Sequence, residues 1–177
     1  MQQRPSHLSP SFTARLRLLG AASSLMLLLT GCVADDPQKP KVGPAPTNPE
    51  PSTMFMAAQA LRDTNANGYL DTCLITVYIF QSGYARSVHM PGTFDFKLMG
   101  KAGAVIREWK LASAGPNVGA VNAGVGPGYV IKLSLLDNAG TDVFQGQSGD
   151  IIASFTDAKG RSVQAEPTTV LLGKPLP

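Results

Sequence analysis

Apolar residues recur at every second position in several short segments of this chain, and that periodicity constrains the fold more than any other feature. In residues 93–99, TFDFKLM, the apolar Phe94, Phe96 and Leu98 share one face of an extended chain and the polar Thr93, Asp95 and Lys97 share the other, as in a half-buried strand. Residues 73–80, CLITVYIF, are apolar on both faces, which is typical of a strand in the middle of a sheet. Further strands are predicted at residues 105–111, 129–135, 151–155, 163–165 and 168–172.

Turn-forming residues separate these segments at residues 100–103, 137–140 and 157–160, where glycine can supply the positive φ that many turns require. Pro167 marks an edge or a break between the last two strands. The glycine- and alanine-rich residues 112–128 are predicted to form a long passive loop, and the alternative is a binding rim at one end of the sandwich. About seven short strands without a convincing long helix predict an all-β fold, a single antiparallel β-sandwich of immunoglobulin-like or related topology.

The first apolar segment of the predicted domain, TMFMAAQAL at residues 53–61, favours a helix because alanine and methionine are good helix formers. A short first strand is the alternative. In the strand that begins at residue 105, the alternation places Val105, Trp109 and Leu111 inward. Trp109 is the sole tryptophan of the chain, and we interpret it as a core residue.

The start of the chain is patterned differently. Residues 1–17 contain three arginines and no acidic residue, and residues 18–30 are apolar or small. A run of this length suits a secretory signal and is shorter than the roughly 20 residues of a spanning helix. The run ends in L-T-G-C at residues 29–32, which resembles the lipobox of bacterial lipoproteins. The resemblance implies cleavage before Cys32, a diacylglyceryl group on its sulfur and a stable anchor in the lipid bilayer. Val33 in place of aspartate implies, by analogy with enterobacterial sorting, the outer membrane of the cell envelope.

Removing the leader leaves 12 basic and 12 acidic residues, because three of the 15 basic residues lie within it. A neutral chain offers no case for a nucleic-acid partner. Residues 33–52 hold six prolines and almost no large apolar residue, which predicts a disordered, extended tether. The predicted organisation is a leader at residues 1–31, the lipidated cysteine and tether at residues 32–52, and the sandwich at residues 53–177. Cys73, the remaining thiol, is interpreted as a small buried hydrophobe.

Residues 63–71, DTNANGYLD, carry oxygen-bearing side chains at alternate positions ahead of a glycine, a pattern that can curl around a hard cation. The spacing resembles the calcium loops of EF-hands and dockerins, and more closely those of thrombospondin type 3 repeats. The resemblance implies a calcium site whose ligands are Asp63, Asn65, Asn67, Asp71 and the carbonyl oxygen of Tyr69. Leu74 stands where an EF-hand has a bidentate glutamate, so low affinity is expected. The alternative is a metal-free turn whose Asp and Asn side chains cap their own backbone.

Groups suited to catalysis are sparse after the leader. The one histidine after the leader, His89, precedes a Met-Pro-Gly turn and is interpreted as solvated. The G-x-S-G of residues 146–149 lacks the spacing of a nucleophile elbow. Two-carboxylate chemistry would require some of the acidic residues Asp95, Glu108, Asp142 and Asp150 to meet in space.

Residues 62–173 resemble bacterial lipoproteins with a single β-sandwich module, which implies a fold and a location with no activity attached. We therefore expect a lipid-anchored, non-catalytic binding or assembly module of the cell envelope. Its expected partners are the lipid bilayer, through acylated Cys32, and an envelope protein. The alternatives are the outer-membrane tether subunit of a secretion or envelope complex, and a hydrolase that acts on envelope polymers.

Overall fold

The structure, a computed structural model, describes residues 43–100, 103–136, 143–144 and 148–174. The predicted leader, Cys32 and residues 33–42 of the predicted tether lie outside these ranges. The described part of the chain contains nine strands: β1 (Thr53–Ala58), β2 (Thr72–Phe80), β3 (Gly92–Met99), β4 (Val105–Ala112), β5 (Val118–Ala123), β6 (Gly126–Ser134), β7 (Ser148–Asp157), β8 (Ser162–Gln164) and β9 (Thr168–Leu171). Over the same ranges, no helix is long and apolar enough to cross a membrane.

The strands form two antiparallel sheets that pack face to face. One sheet has the order β1-β2-β6-β5, and the other has the order β4-β3-β7, with β8 and β9 both paired to the far edge of β7. The chain crosses between the sheets after β2, β4 and β6. This order corresponds to strands ABED and C′CFG of immunoglobulin domains. The predicted all-β fold, a single antiparallel β-sandwich of immunoglobulin-like or related topology, is therefore confirmed.

The core lies between the inner faces of the central strands, as the alternating segments predicted. Phe94 on β3 has its ring centroid 4.9 Å from that of Phe155 on β7 and 5.0 Å from that of Tyr129 on β6. Burial of each such side chain contributes about 1.5–3 kcal/mol to folding. The other large apolar side chains that are fully buried within the described ranges are Phe96, Leu98, Ile75, Val77, Ile79, Ile131, Leu133, Leu135 and Ile151.

The first segment of the domain is a strand, and the helix favoured by its composition is not formed. Residues 53–58 pair along their whole length with β2. Met54 and Met56 are buried while Phe55 between them is exposed. Pairing with the open edge of β2 gives the backbone its hydrogen bonds and buries two methionines, and this outweighs the small intrinsic helix preference of alanine and methionine.

The glycine- and alanine-rich segment was predicted to be a passive loop, and that prediction is wrong for its middle part. Residues 118–123 form β5, which makes a hairpin with β6 and ends the first sheet. Most of its side chains are small and exposed, so no apolar alternation marks it as a strand. Gly126 has a φ of 119°, and a Cβ there would crowd Ser87, which explains a glycine at the hairpin.

The prediction that Val105, Trp109 and Leu111 all point inward holds only in part. Val105 is 49% exposed, because a bulge shifts the register from Leu98 opposite Arg107 to Met99 opposite Val105 and so reverses the alternation at the start of β4. Trp109 and Leu111 are half-buried against the margin of the core, since β4 ends its sheet. The indole N–H of Trp109 donates to the carbonyl oxygen of Ser134 at 3.0 Å.

The two ends of the sandwich carry different groups of connections. We call the end at which β1 begins the N-terminal end, and it includes residues 49–52, 84–92, 122–127 and 157–161. The opposite end, at which β1 ends, is called the C-terminal end, and it includes residues 59–71, 134–136 and 165–174. Residues ahead of β1 also contact the N-terminal end. Glu50 forms an ion pair with Arg161, and its backbone amide donates a hydrogen bond to the side chain of Gln81 at 3.0 Å.

Candidate functional site

The loop at residues 63–71 connects β1 to β2 at the C-terminal end of the sandwich. A bridge between Arg62 and Thr72 closes its base. Ala66, at a φ of 60°, and Gly68, at 84°, are in the left-handed region, which lets the chain reverse within a few residues. The amide of Leu70 donates to the carbonyl oxygen of Gly173 at 3.0 Å. The loop is therefore attached to both the sheet and the C-terminal segment.

Asp71 is the best-satisfied carboxylate of this loop, and it is fully buried. Its Oδ1 accepts a hydrogen bond from the hydroxyl of Thr64 at 2.7 Å. Its Oδ2 accepts from the amides of Thr64 at 3.0 Å and Asn65 at 3.1 Å. Burial raises the pKa of Asp71, but the hydrogen bonds that it accepts lower the pKa more, so the pKa lies below its ordinary value of 3.8. Asp71 thus stays ionised and holds the first residues of the loop.

Asp63 differs from Asp71 because one of its oxygens has no partner. Its Oδ2 accepts a hydrogen bond from the amide of Gly68 at 2.8 Å. Its Oδ1 is buried and makes no hydrogen bond within the described residues. Asn65 accepts from the amide of Asn67 at 3.1 Å, and Asn67 accepts from that of Tyr69 at 2.8 Å. These last two bonds are the side-chain-to-backbone turns typical of Asn and Asp.

The fit of a cation to this loop depends on which acceptors remain. Asp71 faces N–H and O–H donors with both oxygens, so it is poorly placed as a ligand. The buried Oδ1 of Asp63 has no donor, and a hard cation would satisfy it. No group of three or more His, Cys, Asp or Glu that could hold a metal occurs in the described ranges. A cation on the free oxygen of Asp63 would have one carboxylate as its acidic ligand, so weak binding is expected.

Other candidate residues from the sequence are separated in the structure. Glu108 forms an ion pair with Lys97 at 3.1 Å, and Asp95 approaches Lys110 at 3.7 Å on neighbouring strands. Asp150 accepts a hydrogen bond from Thr169 at 2.6 Å. Asp142, residues 146–147 and Cys32 lie outside the described ranges. The described carboxylates of this set are thus engaged with separate partners.

The structure shows how deeply Cys73 is buried and which hydrogen bond His89 makes, neither of which the sequence alone could give. Cys73 has no exposed surface, and burial raises the pKa of its thiol to about 11, which makes the thiol unreactive. His89 is exposed, as predicted for a turn residue, but its Nε2 lies 2.7 Å from the carbonyl oxygen of Gly128. A carbonyl only accepts, so Nε2 carries a proton.

Sequence reasoning missed one polar cleft at the N-terminal end of the sandwich. It has a volume of about 390 Å³, and Tyr84, Arg86, His89 and Asn122 contribute to its lining. The Nε of Arg86 is buried and has no hydrogen-bond partner within the described residues. The cleft combines residues 84–89 with residues 45–49 and with Asn122 of the β5–β6 hairpin, so no local motif could have indicated it in advance.

The fold and this geometry define the class of protein as a single immunoglobulin-like β-sandwich. No family model, curated protein or solved structure matches the chain.

Proposed function

We propose that the protein is a lipid-anchored module of the cell envelope that binds or assembles with other molecules and performs no chemistry of its own. The observation that carries the proposal is the apolar run ending in L-T-G-C at residues 29–32, followed by a proline-rich segment and then the sandwich. Diacylglyceryl transfer needs the thiol of Cys32, and two or more acyl chains hold a protein on a membrane stably.

Two features of the sandwich support a binding role. An immunoglobulin-like sandwich presents connecting loops at both ends, where binding residues can be supported by a rigid framework. Within the described ranges, the acidic side chains that two-carboxylate chemistry would need are engaged separately, with Glu108 on Lys97 and Asp150 on Thr169. The outer membrane is the proposed location, on the basis of Val33.

Replacement of the anchoring cysteine tests the proposal. With Cys32→Ala, we expect the protein to leave the membrane fraction and to lose the acyl mass in intact mass spectrometry. Cys73→Ala is the matched control, because it removes the buried thiol of β2 and should leave lipidation unchanged. Equal membrane retention of the Cys32→Ala protein, or a native mass without acyl chains, would contradict the anchor.

A second candidate function is weak calcium binding by residues 63–71, and the unpartnered Oδ1 of Asp63 favours it. A site with a dissociation constant near 10⁻³ M would raise the free energy of unfolding by about 1.4 kcal/mol at 10 mM calcium. Melting temperatures in calcium and in chelator should therefore differ by a few degrees. The difference should vanish in Asp63→Asn and persist in Asp95→Asn, which changes an acid far from the loop. Identical melts for the unmodified protein would rule the site out.

A further inference from the structure

The polar cleft at the N-terminal end is built from three parts of the chain, and we call it the Arg86 cleft. Its walls are residues 45–49 ahead of β1, residues 84–89 between β2 and β3, and the β5–β6 hairpin through Asn122 and Pro127. Its volume of about 390 Å³ lies within the range of small-molecule sites. From this cleft we propose that the protein binds a small molecule through a carboxylate group, with Arg86 as the anchor.

The charge of the cleft is the first argument. Among the described residues, Arg86 makes no ion pair, and no Asp or Glu lines the cleft. Arg161, at the same end of the sandwich, is by contrast held by Asp157 through its Nε at 2.7 Å and its Nη2 at 2.6 Å. The framework therefore neutralises one guanidinium and leaves the other with its positive charge uncompensated.

The buried Nε of Arg86 is the second argument. Buried polar groups in folded proteins nearly always have a hydrogen-bond partner, and each exception needs an explanation, of which an acceptor on a bound molecule is one. The guanidinium is planar and offers parallel N–H donors that match the two oxygens of a carboxylate. A single cation balances a monocarboxylate, whereas a dianionic phosphate generally draws more than one positive group.

The remaining lining limits what the rest of the ligand can be. Pro46, Pro49 and Pro127 give rigid apolar walls, and Tyr84 adds an aromatic one. The ring of His89 is fixed by its bond to the Gly128 carbonyl and by contact with Tyr129 at 4.5 Å between centroids. Such walls suit a compact ligand body, either an apolar ring or a sugar ring, that extends from the carboxylate.

Binding can be measured by nuclear magnetic resonance on the full chain purified in detergent. The probes are benzoate and glucuronate, with benzamide and inorganic phosphate for comparison. We expect saturable shifts of the Arg86 side-chain Nε–H with one or both carboxylates at millimolar concentrations, and none with benzamide. Tighter binding of benzoate would identify an apolar ligand body, and tighter binding of glucuronate a hydroxylated one. These shifts are read in the unmodified protein, so the result does not depend on any variant folding.

Variants then test the role of the guanidinium. Arg86→Gln should abolish saturation, and Arg86→Lys should weaken it about tenfold because the charge remains but the planar fork is lost. Arg62→Gln is the matched control, since Arg62 is exposed at the opposite end of the sandwich. Equal shifts with benzoate and benzamide, unchanged binding in a folded Arg86→Gln protein, or saturation by phosphate at lower concentration than by either carboxylate would overturn the proposal.

Discussion

The hydroxyl of Tyr129 accepts a hydrogen bond from the amide of Met90 and donates one to the carbonyl oxygen of the same residue, each at 2.8 Å. Tyr129 belongs to β6 in one sheet, and Met90 lies just ahead of β3 in the other. Both residues are 5% exposed. One side chain thus satisfies both backbone groups of a buried residue where the chain passes between the sheets.

Removal of this hydroxyl should destabilise the fold. In Tyr129→Phe, the buried N–H and C=O of Met90 lose their partner, and we expect the free energy of unfolding in urea to fall by about 1–3 kcal/mol. Tyr78→Phe is the matched control, because Tyr78 lies on the neighbouring strand β2 and has no hydroxyl hydrogen bond within the described residues. A loss of the same size in both variants would show that the Met90 contact is unimportant.

Asp71 should make stability depend on pH. Its pKa is lowered in the folded protein, so its contribution is present above the unfolded pKa of about 3.9 and is lost as pH falls through the folded value. We expect Asp71→Asn to be less stable than the unmodified protein by about 1–3 kcal/mol at pH 7, and the gap to shrink below about pH 4. Urea unfolding at several pH values measures the gap. A gap that stays constant between pH 7 and pH 3 would contradict this.

A side chain at position 92 should lower the stability of the fold. A Cβ at this position would overlap the ring of Phe155 and lie 2.5 Å from the carbonyl oxygen of Thr156. We expect Gly92→Ala to cost about 1–3 kcal/mol, because the surrounding core must shift. Gly124→Ala, where no atom lies within 4 Å, should change stability by less than about 0.5 kcal/mol. Thermal melting compares the two, and equal melting temperatures would refute the packing argument.

Cys73 should react only when the domain opens. Its thiol is fully buried and its pKa is raised to about 11, so both access and thiolate formation are suppressed. In the Cys32→Ala protein, where it is the sole thiol, labelling by a disulfide reagent at pH 8 should follow the rate of unfolding in urea. Rapid labelling without denaturant would show that this part of β2 is accessible.

The central strands could be predicted from sequence because each buries one complete face. The alternation in β3, β6 and β7 therefore maps directly onto the core. Edge strands carry a weaker pattern. β1 has the composition of a helix and β5 that of a loop, and each becomes a strand by pairing with a neighbour distant in sequence. The inverted position of Val105 depends on a bulge, which alternation alone does not reveal.

The candidate sites also depend on contacts that local sequence patterns do not reveal. The sequence predicted that the oxygen-bearing side chains of residues 63–71 come together, and the structure places them in one loop. It could not predict that Asp71 would be fully occupied by Thr64 and Asn65 while Asp63 keeps one buried oxygen without a partner. The Arg86 cleft could not be predicted because residues 45–49, 84–89 and 122–127 meet only after β1, β2, β6 and β5, which are distant in sequence, have paired into one sheet.

Residues 45–49 already lie against the sandwich as part of the wall of the Arg86 cleft. With Cys32 as the proposed point of attachment, a fully extended segment from there to Ala45 spans at most about 45 Å. The cleft would then sample only a shell of that thickness next to the bilayer surface. Since β2 has nine residues and is thus about 30 Å long, residues 63–71 could reach outward to roughly 75 Å. A carboxylate ligand in the cleft and a calcium ion at residues 63–71 would accordingly be met at different depths of the same compartment.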